Sequence, residues 1–191
     1  FFMLFITFGF MFVFCFVLSQ TTNAQRELIE WNDSISFKIE DFKGPITSPD
    51  KNLHISTNCG LYCIPQIVGD TAILTIIAYM DKNKSWARKK DVTPALLEHE
   101  KGHFDLTEVF ARKMKKRVLA LRTNKRTFVK DVQEVYNKTW EDLQKQHQAY
   151  DKATEFSNVE FAQRTWQNYI KEHLVQYHFY ASQTIRFPIK D

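Results

Sequence analysis

Hydrophobic and polar positions divide this chain into three regimes. Phe1 to Leu18 is almost unbroken apolar sequence. From about residue 30 to 80, short alternating or wholly apolar stretches are split by turn residues. Beyond residue 93, apolar residues recur every three or four positions. A period of two marks half-buried strands and a period near 3.6 marks amphipathic helices.

Ile35-Ser36-Phe37-Lys38-Ile39 alternates strictly and predicts a strand, followed by a turn-rich stretch from Gly44-Pro45 to Asn52. Leu53 to Thr57 and Leu61 to Val68 predict two more short strands. Pro65 confines the second to an edge or a bulge, because proline offers no N–H to a ladder. Thr71 to Met80 is apolar on both faces and follows a Gly69-Asp70 turn, so it predicts the best-buried strand.

Thr93-Pro94 opens the helical half, with Thr as cap and Pro at the first helical position. That helix is expected to reach about Arg122, where Thr123-Asn124 breaks it. A second helix is expected from about Lys125 to Thr154, striped by Phe128, Val132, Val135, Tyr136, Trp140, Leu143, His147 and Tyr150. Ser157-Asn158 can cap a third helix carrying Phe161, Trp166, Tyr169, Ile170 and Leu174. Thr184 to Pro188 reads as a closing strand. Strands first and helices afterwards predict an α+β fold, a small and mainly antiparallel sheet followed by three helices.

Composition changes this picture at the N-terminus. Residues 1–24 carry no charge and end in Thr-Asn-Ala, which predicts a Sec-type signal peptide cut before Gln25. An uncleaved anchor is the alternative, since about 18 apolar residues is the lower limit for a span. Residues 25–191 then form a single domain, secreted or periplasmic. The net charge of +4 gathers in part at Lys113, Lys115, Lys116, Arg117, Arg122, Lys125 and Arg126. Cations near a helix end make a solvated surface, and no nucleic-acid motif accompanies them. Cys59 and Cys63 are the two cysteines left after export, and an exported pair predicts a disulfide around Gly60. Two metal thiolates are the alternative, although no second pair completes such a site.

The candidate chemistry lies in His99-Glu100-Lys101-Gly102-His103. Four residues turn a helix through about 400°, so both histidines project from one face. Two imidazoles so placed can hold zinc, and Glu100 is placed to act as general base toward water that the metal activates. Gly102 is costly inside a helix, which predicts a close approach of another group there. Zinc requires a third protein ligand. Asp105 and Glu108 sit about 200° and 140° around the helix from His103 and cannot supply it. His147, on the stripe of the second helix, is the tentative third ligand, and Glu155 is the carboxylate alternative. His54, His173 and His178 are more remote candidates. Tyr150 is a core residue that could also contact substrate.

Several blocks resemble a bacterial family of unknown function, number 922, whose members are predicted secreted zinc-dependent proteases. They are Asp41-Phe42-Lys43-Gly44-Pro45, Ala78-Tyr79-Met80-Asp81 with Ser85-Trp86, Leu96 to Asp105, and Tyr150-Asp151-Lys152-Ala153-Thr154, continued by Gln163 and Trp166. The resemblance implies zinc on His99 and His103, with Glu100 as base. Its pattern also places a histidine two positions after Thr154, where this chain has Phe156. The expected protein is therefore an exported zinc metallopeptidase acting on peptide or protein substrates. Its H-E-x-x-H helix is expected to pack on the sheet in a minimal zincin-like arrangement. The alternative is a catalytically weakened relative serving as a binding or envelope-associated module.

Overall fold

The computed structural model describes residues 27–191. The expected signal segment, residues 1–24, lies outside the described residues. The elements in chain order are β1 (Leu28–Glu30), β2 (Ile55–Ser56), β3 (Cys59–Val68), β4 (Thr71–Asp81), β5 (Trp86–Ala87), α1 (Pro94–Leu119), α2 (Phe128–Thr154), α3 (Glu160–Gln176) and β6 (Thr184–Pro188). Short 3-10 turns stand at Ile39–Asp41 and His178–Tyr180. The fold is α+β, with antiparallel strands before three helices and one strand after them. Among the described residues, no helix is long and apolar enough to cross a membrane.

β4 is the spine of the main sheet. It forms a hairpin with β3, from Val68 opposite Thr71 to Cys59 opposite Met80. Gly69 supplies the tight turn with φ +59°, a left-handed value that favours glycine. The other side of β4 is filled by β6 along Thr71 to Thr75 and by β1 along Tyr79 to Asp81. From Thr71 to Met80 the buried residues of β4 alternate (Ala72, Leu74, Ile76, Ala78 and Met80), so one face meets the helices and the other is half-covered, and Asp81 at the strand's end is buried as well. β3 is an edge strand, as Pro65 requires.

The predicted strand at Ile35–Ile39 does not form, because the neighbouring edge of β4 is already taken by β1 and β6. Its alternation survives as packing: Phe37 is buried, stacked on Phe104 at 5.5 Å and edge-on to Phe42 at 5.7 Å. The expected disulfide is also absent, and Cys59 and Cys63 are free thiols. They stand four residues apart on the straight β3, about 13 Å along the strand, beyond what a disulfide can bridge. Burial pushes the Cys63 thiol up to about 11, which keeps it protonated and inert at neutral pH.

α1 is the central helix, in contact with β3, β4, α2 and α3. It starts where the sequence predicts, with the Thr93 hydroxyl accepting the Leu96 N–H at 3.2 Å and Pro94 following. It ends three residues before Arg122. α2 begins only at Phe128, because Asn124 turns the chain by accepting the N–H groups of Arg126 and Thr127. α2 returns antiparallel to α1, so residues near 99–103 face residues near 147–151. α3 begins at Glu160 with Val159 at the cap, not with Ser157-Asn158, which are used in the turn before it.

Candidate metal centre

Helical spacing puts His99 and His103 on one face of α1, and that face is turned toward α2. His99 is 1% exposed and Glu100 is 6% exposed, so both are inside the protein. The ring Nε2 atoms of His99 and His103 approach to 3.2 Å. Between them stands the Asp151 carboxylate, with Oδ1 at 3.1 Å from His99 Nε2 and 2.8 Å from His103 Nε2. Three donor atoms thus make a triangle with edges near 3 Å. A tetrahedral ion with bonds of about 2.0–2.1 Å needs donor separations of about 3.3 Å. The donor set fits zinc in both type and spacing.

Hydrogen bonds behind the rings decide which nitrogen faces the triangle. The Gln163 amide donates to the Tyr150 hydroxyl at 2.7 Å, and that hydroxyl donates to the His99 carbonyl at 3.2 Å. Its other end is then an acceptor, and Oε1 lies 3.1 Å from His99 Nδ1. His99 therefore carries its proton on Nδ1 and turns the Nε2 lone pair inward. The Tyr150 ring stacks on the His99 ring at 4.4 Å and fixes its plane. On the other side, His103 Nδ1 meets His147 Nδ1 at 2.9 Å. Burial and the nearby His103 push His147 down to about 3, so it is a neutral acceptor.

The electrostatics favour positive charge at the triangle. Burial opposes ionisation of Asp151, but the His103 and His99 rings beside it outweigh burial and hold the carboxyl well below its ordinary range. Burial lowers the His103 ring, and the Asp151 hydrogen bond with the Glu100 and Asp151 charges lifts it above its ordinary value. A proton or a divalent cation answers the same field.

Gly102 shows why the two helices meet here. A Cβ at that position would stand 2.4 Å from the Tyr150 hydroxyl and 2.8 Å from the ring. Tyr150 is itself fully buried and cannot yield. The close approach expected at Gly102 is thus the Tyr150 ring, and it sets the register that brings Asp151, one residue later, under both histidines.

The sequence candidates sort clearly in space. His99, Glu100 and His103 come together, with their ligand atoms within 4.8 Å of one another. His147 is adjacent but touches the far edge of the His103 ring, through Nδ1, and so does not face the triangle. Glu155 caps α2 in a left-handed conformation and is exposed. Asp151 is the residue of α2 whose side chain meets the Nε2 atoms of both rings. Its signal was the spacing from His147, four residues apart on one helix, as His99 and His103 are on theirs. Gln163 was within reach too, as a glutamine on the inner face of α3. His54 lies near Asp91 at 3.7 Å, and His173 and His178 bond to carbonyls of their own segment, at Tyr169 and Val175.

Beside the triangle opens a cleft of about 310 Å³. One wall is the segment Leu53 to Cys59, apart from His54. The other is α2 and its end, with Trp140, Gln144, His147, Asp151 and Phe156. Glu100 and His103 form its floor. β4 has no free edge for an added peptide strand, because both its edges are paired.

Residues 78–158 match the model of a family described as bacterial protein of unknown function (DUF922). The matched region runs from the end of β4 through both helices of the site, and it includes His99, Glu100, His103 and Asp151. Neither the curated proteins nor the solved structures contain a match to this chain.

Proposed function

We propose that this protein is an exported zinc-dependent metallopeptidase with zinc held by His99, His103 and Asp151. The observation that carries the reading is the triangle of two imidazole nitrogens and one carboxylate oxygen, opening on a cleft that Glu100 also lines. Zinc with three protein ligands keeps a fourth position open, where it acidifies water and polarises a carbonyl. The chain supplies the rest. Glu100, next in sequence to His99, takes the proton of the attacking water and returns it to the departing amine. Gln163 and His147 hold the two rings in the required tautomers. The walls at Leu53 to Cys59 and α2 orient the peptide and exclude bulk water from the Glu100 carboxylate. Packing of the H-E-x-x-H helix against the sheet accords with a minimal zincin-like arrangement.

The alternative of a weakened binding module rests on Phe156, which stands where the family resemblance places a histidine. Asp151 provides a third donor without that position, so the metal reading no longer depends on it. Elemental analysis of the purified protein after zinc loading and dialysis tests the centre. We expect about one zinc per chain, lost in His103→Ala and Asp151→Asn. Glu100→Gln should keep its zinc and lose peptide hydrolysis by about 10²–10⁴-fold. A folded wild-type protein that retains no zinc would overturn the proposal.

A further inference from the structure

The backbone after α2 is the most sterically costly among the described residues. Glu155, Phe156 and Ser157 have φ of +46°, +54° and +76°, and they are the non-glycine residues with positive φ there. Side chains rarely adopt that region, and such outliers persist where surrounding structure enforces them, commonly at functional sites. The enforcement is visible here. The Asp151 carbonyl accepts the N–H groups of both Glu155 and Phe156, while Asn158 N–H reaches the Glu155 carbonyl and Val159 N–H the Thr154 carbonyl. The turn is therefore fastened to the same helical turn that presents the Asp151 carboxylate.

What this conformation achieves is the placement of one side chain. Phe156 remains 50% exposed and lines the cleft that Glu100, His103 and Asp151 also line. Leu53, Ile55 and Trp140 add apolar surface to the same cleft. Its volume of about 310 Å³ lies at the small end for ligand sites, suited to one large side chain beside the reacting centre. Phe156 with Leu53 and Trp140 thus gives the cleft an apolar patch rimmed by polar groups, the kind of surface that takes an apolar partner.

We infer that Phe156 is a specificity-determining residue, which with Trp140 and Leu53 seats a bulky apolar side chain of the substrate next to the bond that is cut. The inference rests on the peptidase reading for its reaction, though its binding step can be tested without any hydrolysis. A mixed peptide library gives the first measurement. Wild-type cleavage should concentrate at sites flanked by Phe, Leu, Met or Trp, and Phe156→Ala should reduce the kcat/KM ratio of Phe over Ala at that position about tenfold. Phe156→Leu, which keeps an apolar surface, should retain most of the preference. The second measurement uses zinc-loaded Glu100→Gln, titrated by NMR with N-acetyl-Ala-Phe-Ala-amide and N-acetyl-Ala-Ala-Ala-amide while following the Trp140 indole. The Phe peptide should bind about tenfold tighter, and adding Phe156→Ala should abolish the difference. Equal affinities of the two peptides overturn the inference, whatever the activity. A binding difference without hydrolysis leaves the seat standing and defeats the peptidase reading instead.

Discussion

The two halves of α1 bury charge in opposite ways. The C-terminal half holds Glu108, Arg112 and Lys115, all at most 5% exposed. Each is satisfied within the fold: Arg112 donates to Glu108 at 2.8 Å and to the Leu174 carbonyl at 2.7 Å, and Lys115 donates to the Ser182 carbonyl at 2.8 Å. Arg112 also lies over the Trp31 ring at 5.1 Å. The N-terminal half holds His99, Glu100 and His103, and the outer ring nitrogens of the two histidines are also partnered, by Gln163 and His147. There, however, two ring nitrogens and a carboxylate oxygen crowd one point. Buried polarity that closes on itself ties elements together. Buried acceptors that converge favour positive charge, whether a proton or a metal ion. The same helix shows both, and the distinction lies in donor-acceptor balance, since burial is alike in the two halves.

That contrast can be attacked from either end. The largest stability effect is expected from Gly102→Ala, which forces a methyl into the Tyr150 ring where neither partner has room. A loss of about 2–3 kcal/mol in urea unfolding is expected, together with zinc, because the register that places Asp151 is disturbed. An unchanged midpoint would show that α1 and α2 do not depend on this contact. Next, Gln163→Leu removes the group that fixes the His99 tautomer and should weaken zinc about 10–100-fold in a chelator competition, with the fold intact. Equal affinity would mean that the ring is oriented by the Tyr150 stack alone.

The smallest effect belongs to the self-satisfied half. Burial pushes Lys115 down to about 8, below its value in the unfolded chain. Below pH 8 the residue is protonated in both states, and the fold bears the cost of the buried ammonium. Between pH 8 and about 10.4 the unfolded chain binds more protons than the folded one, so this residue's contribution to stability rises with pH. Lys115→Met should therefore stabilise the protein by about 1 kcal/mol at pH 7, with the advantage shrinking from pH 8 upward. Thermal melts across that range would check it, and a variant less stable at pH 7 would show that the Ser182 bond outweighs burial.

Much of this was legible in the chain because it depends on local period. The long helices, the apolar β4, the tail strand and the Thr93-Pro94 start all follow from spacing or capping, which nearest neighbours decide. The strand expected at Ile35–Ile39 failed because alternation reports burial and says nothing about whether an edge is free to pair. The cysteine pair failed because sequence proximity along an extended strand is distance in space. The site divided in the same way. His99, Glu100 and His103 lie on one helix and were readable, whereas Asp151 depends on how two helices register, which Gly102 and Tyr150 set across some fifty positions of sequence. The apolar stripe of α2 points to His147, and the aspartate one turn beyond it is not among the residues of that stripe.

The missing side chain at Gly102 has a practical consequence for anyone who wants to build this centre elsewhere. Copying two histidines, a glutamate and an aspartate onto another antiparallel helix pair would reproduce the inventory but not the spacing. The glycine and the tyrosine form a key and keyway that set the depth at which one helix seats against the other. A graft that leaves them behind would separate the donors by roughly the width of a methyl group, enough to open the triangle. The smallest portable unit is therefore a pair of short helical segments, His99 to His103 and His147 to Asp151, carried with the packing contact between them.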